Sequence, residues 1–497
     1  MLLSPKPVIV FITPPVTLEE RYGSLASSGN STPCLAGLIL AAIVREAGYS
    51  VAVIDASAEN LTFDETIARI GELSPGFIGI TSTTLTILSA ERVSAAVKKQ
   101  WPDILIGIGG PHVTAIPEET LRRCADFDFV ALHEGEHTII KILDYLQDDN
   151  LAMDSITGIA FLAPDGRFIK TSPAPQFKDL DNLPFPAWDL LKNFPDAYSP
   201  GFFKVAQMPS VSFVSARGCP YHCSFCDTSV FGQKVRSHSA EYMVELFEYL
   251  NSRFGIRDVT FEDDTFMFNR RNVLRFCELL LQKNLGMTWA CNSRLNLAKP
   301  EILQAMNKGG CWHISYGVES GSQDILDQED KGITIEQIHQ GIQNTRDAGI
   351  AAKGFFIVGH PGETLDTLQA TYDLTRTIPF SDISVSCMTP FPGSPLSRNA
   401  HEFGAFDDDW TKMNLLTPVF VPHGLTADDL QSWQKKILRD FYFRPKTVLD
   451  YIGRILRNPS PRYIKGIAVS ALALSKTVFA GKSKSTSRVA KAEDCVK

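Results

Sequence analysis

At 497 residues the chain is too long for a single hydrophobic core, and a norm of about 100–200 residues per domain predicts roughly three domains. Hydrophobic residues at 44% are ordinary for a globular enzyme, and a net charge of −8 argues against nucleic acid as the main partner. Ten cysteines over this length, no secretory signal and no apolar run of ~18–20 residues predict a reducing cytoplasmic setting, with neither a disulfide framework nor a membrane span.

From Pro7 to about Asp149 short β-rich runs alternate with helical patterns: Val8-Ile-Val-Phe-Ile12, Ser50-Val-Ala-Val-Ile54, Phe77-Ile-Gly-Ile80, Ile104-Leu-Ile-Gly-Ile108 and Phe127-Asp-Phe-Val-Ala131. That alternation predicts a doubly wound, Rossmann-like parallel sheet of the α/β class. Such sheets bind ligands beyond the carboxyl ends of their strands. There the small hydroxyls of Ser82, Thr83 and Thr84 and the bare backbone of Gly109 and Gly110 would let a bulky planar ligand with a nucleotide-like tail lie close to the sheet. His112, Glu134 and Gly135 stand at neighbouring strand ends and join the candidate set. The same residues also read as the tight turns that any such fold requires.

Residues 150–208 are proline-rich, with one hairpin candidate turning at Pro164-Asp-Gly166, and read as an inter-domain linker. Leu183-Pro-Phe-Pro-Ala-Trp-Asp-Leu190 is expected to run over the surface of the next domain.

Next comes Arg217-Gly-Cys-Pro-Tyr-His-Cys-Ser-Phe-Cys226, which offers three thiolates at Cys219, Cys223 and Cys226 where a closed metal site takes four. Structural zinc with His222 as fourth ligand, or cysteines that merely pack, are the alternatives. An iron–sulfur cluster on three cysteines would leave one iron open to a small molecule. Further strands follow, ending in Glu262-Asp-Asp264, Asn292-Ser-Arg294, Gly317-Val-Glu319, Gly359 and Cys387. Polar groups at successive parallel strand ends build an active-site rim in a full or partial barrel.

Residues 209–396 resemble the radical S-adenosylmethionine (SAM) superfamily, on the C-x3-C-x2-C loop with Phe225 before its third cysteine and on the ordered strand ends. The resemblance implies a partial (β/α)6 barrel spanning 209–400, a 4Fe-4S cluster on Cys219, Cys223 and Cys226, and SAM held by Phe225, Glu262, Asp263, Asp264, Arg294, Glu319 and Ser320. Residues 1–149 resemble a cobalamin-binding domain, on the paired prolines after the first strand, Leu35-Ala-Gly-Leu-Ile-Leu-Ala-Ala and Gly109-Gly-Pro-His112. The Asp-x-His-x-x-Gly loop of other cobalamin proteins is absent, which implies that no histidine ligates cobalt from below.

Together these resemblances imply reductive cleavage of SAM to a 5′-deoxyadenosyl radical and C-methylation of an unactivated carbon in a small molecule, lipid or tetrapyrrole, with flavodoxin or ferredoxin as electron donor. A radical cyclase or rearrangement enzyme resembling the anaerobic magnesium-protoporphyrin monomethyl ester cyclase is the second reading, and a non-catalytic cobalamin or redox sensor the third. The region 401–497 is expected to be helical. From Arg444 to Lys497 it carries 12 Lys/Arg against three acids, a cationic tail that reads either as a packing helix with a disordered end or as a peripheral membrane contact.

Overall fold

The computed structural model describes the chain except residues 1–5, 24, 25, 27, 28, 30, 149, 199–204, 458–460 and 480–497. The last eighteen residues of the expected basic tail lie outside the described residues. Seven strands form the N-terminal sheet: β1 (Ile9–Thr13), β2 (Val51–Asp55), β3 (Phe77–Thr81), β4 (Leu105–Gly109), β5 (Phe129–Ala131), β6 (Ile159–Leu162) and β7 (Phe168–Lys170). Their order is β2-β1-β3-β4-β5-β6-β7. The first five pair in parallel, as the alternating pattern predicts, and β5, β6 and β7 pair antiparallel.

Successive side chains of β1 serve opposite cores. Ile9 and Phe11 pack with the helix Leu35–Glu46 in one hydrophobic cluster, whereas Val10 and Ile12 pack with the helix Ile87–Gln100 in another. Burial on both faces is why these strands read as continuous apolar runs.

Two expectations for residues 150–208 are corrected. The hairpin turning at Gly166 (φ +81°) adds β6 and β7 to the N-terminal sheet, so that sheet reaches Lys170. The segment around Trp188 does not run over a surface. Trp188 is fully buried, the Ala187 amide donates to the Leu38 carbonyl at 3.1 Å, and the indole lies against Tyr249 of the helix Ala240–Phe254. The apolar side of Leu35–Glu46 needs a cover, and Ala187, Trp188 and Leu191 supply it, extending one core from the first sheet into the second. Truncating a tryptophan so placed costs about 3–5 kcal/mol.

The second sheet is entirely parallel. It contains β8 (Ser210–Phe213), then, after the short antiparallel pair β9 (Ala216–Arg217) and β10 (Arg236–Ser237), β11 (Asp258–Phe261), β12 (Thr288–Ser293), β13 (Cys311–Glu319), β14 (Ala351–Val358) and β15 (Asp382–Cys387). The spatial order β15-β14-β13-β12-β11-β8 follows the chain, the signature of a six-stranded partial barrel. Its helices start where the sequence places caps. Ser239 accepts from the Tyr242 amide, and Thr334 and Thr364 each form reciprocal caps with the residue three further on. A small antiparallel pair, β16 (Gly404–Phe406) and β17 (Phe420–Pro422), precedes three helices, Ala427–Tyr442, Pro445–Arg457 and Pro461–Phe479. Among the described residues no helix is long and apolar enough to cross a membrane.

Candidate active site at the junction of the two sheets

The loop carrying the three cysteines leaves β9 through Gly218, whose φ of +92° and whose close approach to the Lys234 carbonyl both exclude a side chain. Backbone bonds then fix it on three sides. The Cys219 amide donates to the Gly232 carbonyl at 3.2 Å, the Ser224 amide to the Glu329 carbonyl at 3.0 Å, and the Leu396 amide to the Ser224 carbonyl at 2.9 Å. Cys223 is buried, Cys219 half-buried and Cys226 exposed, and no disulfide joins them.

Although Cys226 reaches solvent, desolvation by the protein packed around it pushes its thiol up to about 12, and the neighbouring Cys223, Asp264 and Cys219 add to the effect. Three sulfurs this close destabilise each other as thiolates unless a cation compensates them. His222, the alternative fourth ligand, is exposed and pairs with Gln233 at 2.8 Å. Among the described residues no three His, Cys, Asp or Glu side chains converge on one ion. A donor set of three neighbouring thiols without a common centre fits a cluster, in which each sulfur takes a different iron.

Around this loop the strand-end residues divide. Asp264 is exposed at the rim and faces the cavity described below. Arg294, buried at the end of β12, stacks on Tyr221 at 3.6 Å and points Nη1 at the Cys223 sulfur at 3.6 Å. Glu262 accepts from Asn292 at 3.0 Å. Phe225 packs with Met388 and Leu396 and lies beneath the Lys331 ammonium.

Three of the residues expected to contact SAM also make bracing contacts within the protein. Asp263 is buried, accepts from the Ser215 amide and hydroxyl at 2.6 Å each, and is pushed by burial to about 7. Glu319, at φ +68° in a β-bulge, pairs with Lys331 at 2.6 Å. Ser320 is buried against Thr371 at 3.2 Å.

A cavity of about 470 Å³ opens between the carboxyl ends of β1, β3, β4 and β5 and the cysteine loop. Its floor is apolar, formed by Phe11, Phe77, Phe129 and Leu38, and its rim carries Glu134, Asp227 and Asp264. Gly107 leaves the space that the Phe129 ring fills, since a Cβ there would stand 2.4 Å from the ring. Gly110 has φ +121° and lies against the Ser82 carbonyl, while a Cβ on Gly109 would meet only Ala131, at 3.9 Å. The open ground at Gly109 and the depth of the floor fit a nucleotide-like tail inserted beside the sheet with a larger planar group above it.

Gly109, Gly110, Glu134 and Gly135 line this cavity; Ser82, Thr83, Thr84 and His112 are not among its lining residues. After β3 the chain turns away through a bond from the Thr83 amide to Thr86 at 2.8 Å. That turn carries buried Thr84 to His112 (3.1 Å), whose ring meets Trp410 edge-on at 4.4 Å.

Residues with no individual signal in the sequence complete the site. Arg217 donates to Glu134 at 2.9 Å and to Glu136 at 2.6 Å, and Arg236 also pairs with Glu134, all buried. Burial opposes the charge on Arg217, and Glu136 and Glu134 more than offset that. His133 and Cys34 line the cavity, the histidine bonding through Nδ1 to the Ser229 carbonyl at 2.7 Å. Beneath the cysteine loop, Glu329 accepts from the Ser224 hydroxyl and meets His360 Nδ1 at 3.0 Å. Glu363 accepts from the Gly359 and His360 amides. Apart from the local bonds to Glu363, these contacts join elements far apart in the chain, so spacing gives no sign of them.

Two family models match the chain, the radical SAM superfamily over residues 213–375 and the B12 binding domain over residues 23–143. An uncharacterised methyltransferase of Pyrococcus horikoshii is 32% identical over 423 residues, spanning 85% of this chain and 90% of the relative. The anaerobic magnesium-protoporphyrin IX monomethyl ester cyclase of Rubrivivax gelatinosus is 30% identical over 449 residues, spanning 89% of this chain and 78% of the relative. The solved structure of the cobalamin-dependent SAM radical enzyme OxsB, with aqua-cobalamin and SAM bound, shares the fold with a TM-score of 0.72 at 17% identity, covering 95% of this chain and 72% of that one.

The chain belongs to the radical SAM superfamily, in the group whose members also carry a B12 binding domain. It is an enzyme whose cofactors, as its two matched families define them, are SAM with a 4Fe-4S cluster and cobalamin.

Proposed function

We propose that the protein is a cobalamin-dependent radical SAM C-methyltransferase acting on an unactivated carbon of a largely apolar small molecule. One observation carries this reading: Asp227 and Asp264, on and beside the cysteine loop, line the same cavity as Gly109 and Gly110 of the cobalamin sheet. The two cofactor sites therefore share a wall, as a methyl transfer between them needs. When bound, the cluster and SAM supply a hydrogen-abstracting radical and cobalamin a transferable methyl group.

The protein's own residues orient and enclose. The Arg217, Glu134, Glu136 and Arg236 network fixes the loop against the sheet. Arg294 holds a positive charge beside the Cys223 sulfur, and in this reading it neutralises negative charge on the loaded loop. Asp264 offers a carboxylate for the SAM ammonium. Cys219, Cys223 and Cys226 would hold the cluster.

The similarity to the Pyrococcus methyltransferase, which spans 90% of that relative, supports the reading. Similarity to the cyclase keeps ring closure as the second reading. The finer expectations are a flavodoxin or ferredoxin as reductant, a lipid or tetrapyrrole as substrate and a peripheral contact with a membrane.

The test is anaerobic reconstitution with iron, sulfide and cobalamin, then incubation with methyl-labelled SAM and candidate substrates. Label in a carbon-methylated product supports the proposal. Ring closure or oxygen insertion without label supports the cyclase reading. Absence of 5′-deoxyadenosine from the reduced, cluster-loaded protein sinks both.

A further inference from the structure

The last two described helices expose apolar side chains that the fold does not use. On Pro445–Arg457, Leu449, Ile452 and Leu456 lie at i, i+3 and i+7 and are 66%, 47% and 74% exposed, while Thr447 on another face is buried. Val448 beside them is also exposed. On Pro461–Phe479, Ile464, Ala468 and Leu472 repeat every four residues on an exposed line, while Ile467, Ala473 and Val478 are buried. A helix with apolar residues on both its packed and its open face lacks a partner on the open one.

The charge around these stripes names the partner. Residues 445–479 carry Lys446, Arg454, Arg457, Arg462, Lys465 and Lys476 against Asp450 alone, in a chain whose net charge is −8. On an ideal helix Lys446 falls one turn before Leu449, and Lys465 and Lys476 border the side of Pro461–Phe479 that carries Leu472; all three lysines are exposed. An apolar stripe bordered by cations on an otherwise acidic protein matches an anionic lipid surface, where the stripe enters the acyl boundary and the cations meet the headgroups. A second copy of this acidic chain would meet the same cations with its own, since a two-fold interface presents identical patches to each other.

We infer that helices Pro445–Arg457 and Pro461–Phe479 form an in-plane docking surface for an anionic membrane. This inference deepens the proposed peripheral contact and is independent of the methyl-transfer chemistry.

The experiment is co-sedimentation of the full chain with vesicles of phosphatidylcholine alone and of phosphatidylcholine mixed with phosphatidylglycerol, at low and high salt. Binding is expected only with phosphatidylglycerol and should weaken with salt. The double variant Leu449→Glu/Leu456→Glu, at positions that touch no cofactor site, should lower partitioning by about tenfold or more while leaving formation of 5′-deoxyadenosine unchanged. Failure to bind the mixed vesicles, binding that survives the double variant, or a wild-type dimer that the variant dissociates would each overturn the inference. A failed methyl-transfer assay with intact vesicle binding would count against the proposed chemistry alone.

Discussion

Arg217, two residues before the first cysteine of the three-thiol loop, and Glu134, beyond the last parallel strand of the N-terminal sheet, form a buried ion pair at 2.9 Å. Both side chains are under 8% exposed, and Glu136 and Arg236 complete the group. Breaking one side of such a group strands a charge away from water, at a cost of about 3–5 kcal/mol. Arg217→Met should therefore lower the denaturation midpoint and reduce the cobalamin retained after gel filtration. Unchanged stability and retention would show that the pair does not join the two sheets.

The two glycines at the cavity separate fold from ligand. Gly109→Leu introduces atoms into open ground, so cobalamin binding should be lost while the cluster and the melting temperature are kept. Gly110→Ala places a Cβ 2.2 Å from the Ser82 carbonyl at φ +121°, so the fold itself should weaken, by at least 1 kcal/mol. Corrinoid absorbance and thermal melting of both variants check this contrast. Full corrinoid binding by Gly109→Leu would remove the cavity from the cobalamin site.

Replacement of Cys219, Cys223 or Cys226 by Ala should abolish cluster absorbance and SAM cleavage together, since each thiol is expected to hold a separate iron. SAM cleavage by a single-cysteine variant at the wild-type rate would refute that assignment.

The bond from Ser224 to Glu329 ties the cysteine loop to a buried pair. Burial disfavours the charged form of His360, but Glu329 and Glu363 outweigh it and hold its pKa above the ordinary value. Glu329→Ala frees the Ser224 hydroxyl and leaves His360 with only Glu363 and Glu319 as carboxylate neighbours, so reconstituted protein should hold less iron per chain. Glu329→Gln, which keeps an acceptor for the hydroxyl, should recover part of it. Equal iron content in all three proteins would show that the brace does not govern cluster assembly.

His112 makes stability depend on pH. Burial, helped by Arg123, lowers its pKa from 6.5 to about 4, so the folded state keeps the ring neutral between its Thr84 and Trp410 contacts. Above the unfolded value this costs nothing. As pH falls below it the unfolded chain binds the proton first, and stability is lost down to the folded value at about 1.4 kcal/mol per pH unit. His238, also lowered to about 4 chiefly by burial, adds a second contribution of the same sign. Denaturation midpoints measured from pH 7 to pH 5 should fall for the wild type and fall less for His112→Gln. An identical slope in the two proteins would contradict the buried neutral ring.

The parallel strands of the first sheet were legible because burial on both faces writes near-continuous apolar runs, those of the second from the small and acidic residues at their ends, and the cysteine loop because its three thiols lie within eight residues. The linker was misread. Leu183 to Leu190 contains prolines and no periodicity, and only the apolar side of Leu35–Glu46 above it explains why Trp188 is buried. Asp263 and Glu319 were legible as acids at strand ends, but their partners Ser215 and Lys331 are found only in three dimensions. Ser82 and Thr84 illustrate the same limit: a strand end marks a neighbourhood, and the following turn decides which side chains face it.

The sequence by itself determined the two α/β units, the three-thiol loop and the glycines beside the first sheet, since each is a local pattern of burial, spacing or missing side chain. Tertiary structure alone decided that Asp227 and Asp264 line one cavity with Gly109 and Gly110, that Arg217 and Arg236 reach across to Glu134 and Glu136, and that two terminal helices keep an apolar line facing outward. The physical reason is range. Strand pattern and caps are set by neighbours within a few residues, whereas a cavity wall, a buried ion pair and an uncovered surface depend on chain segments that only the packed core brings together.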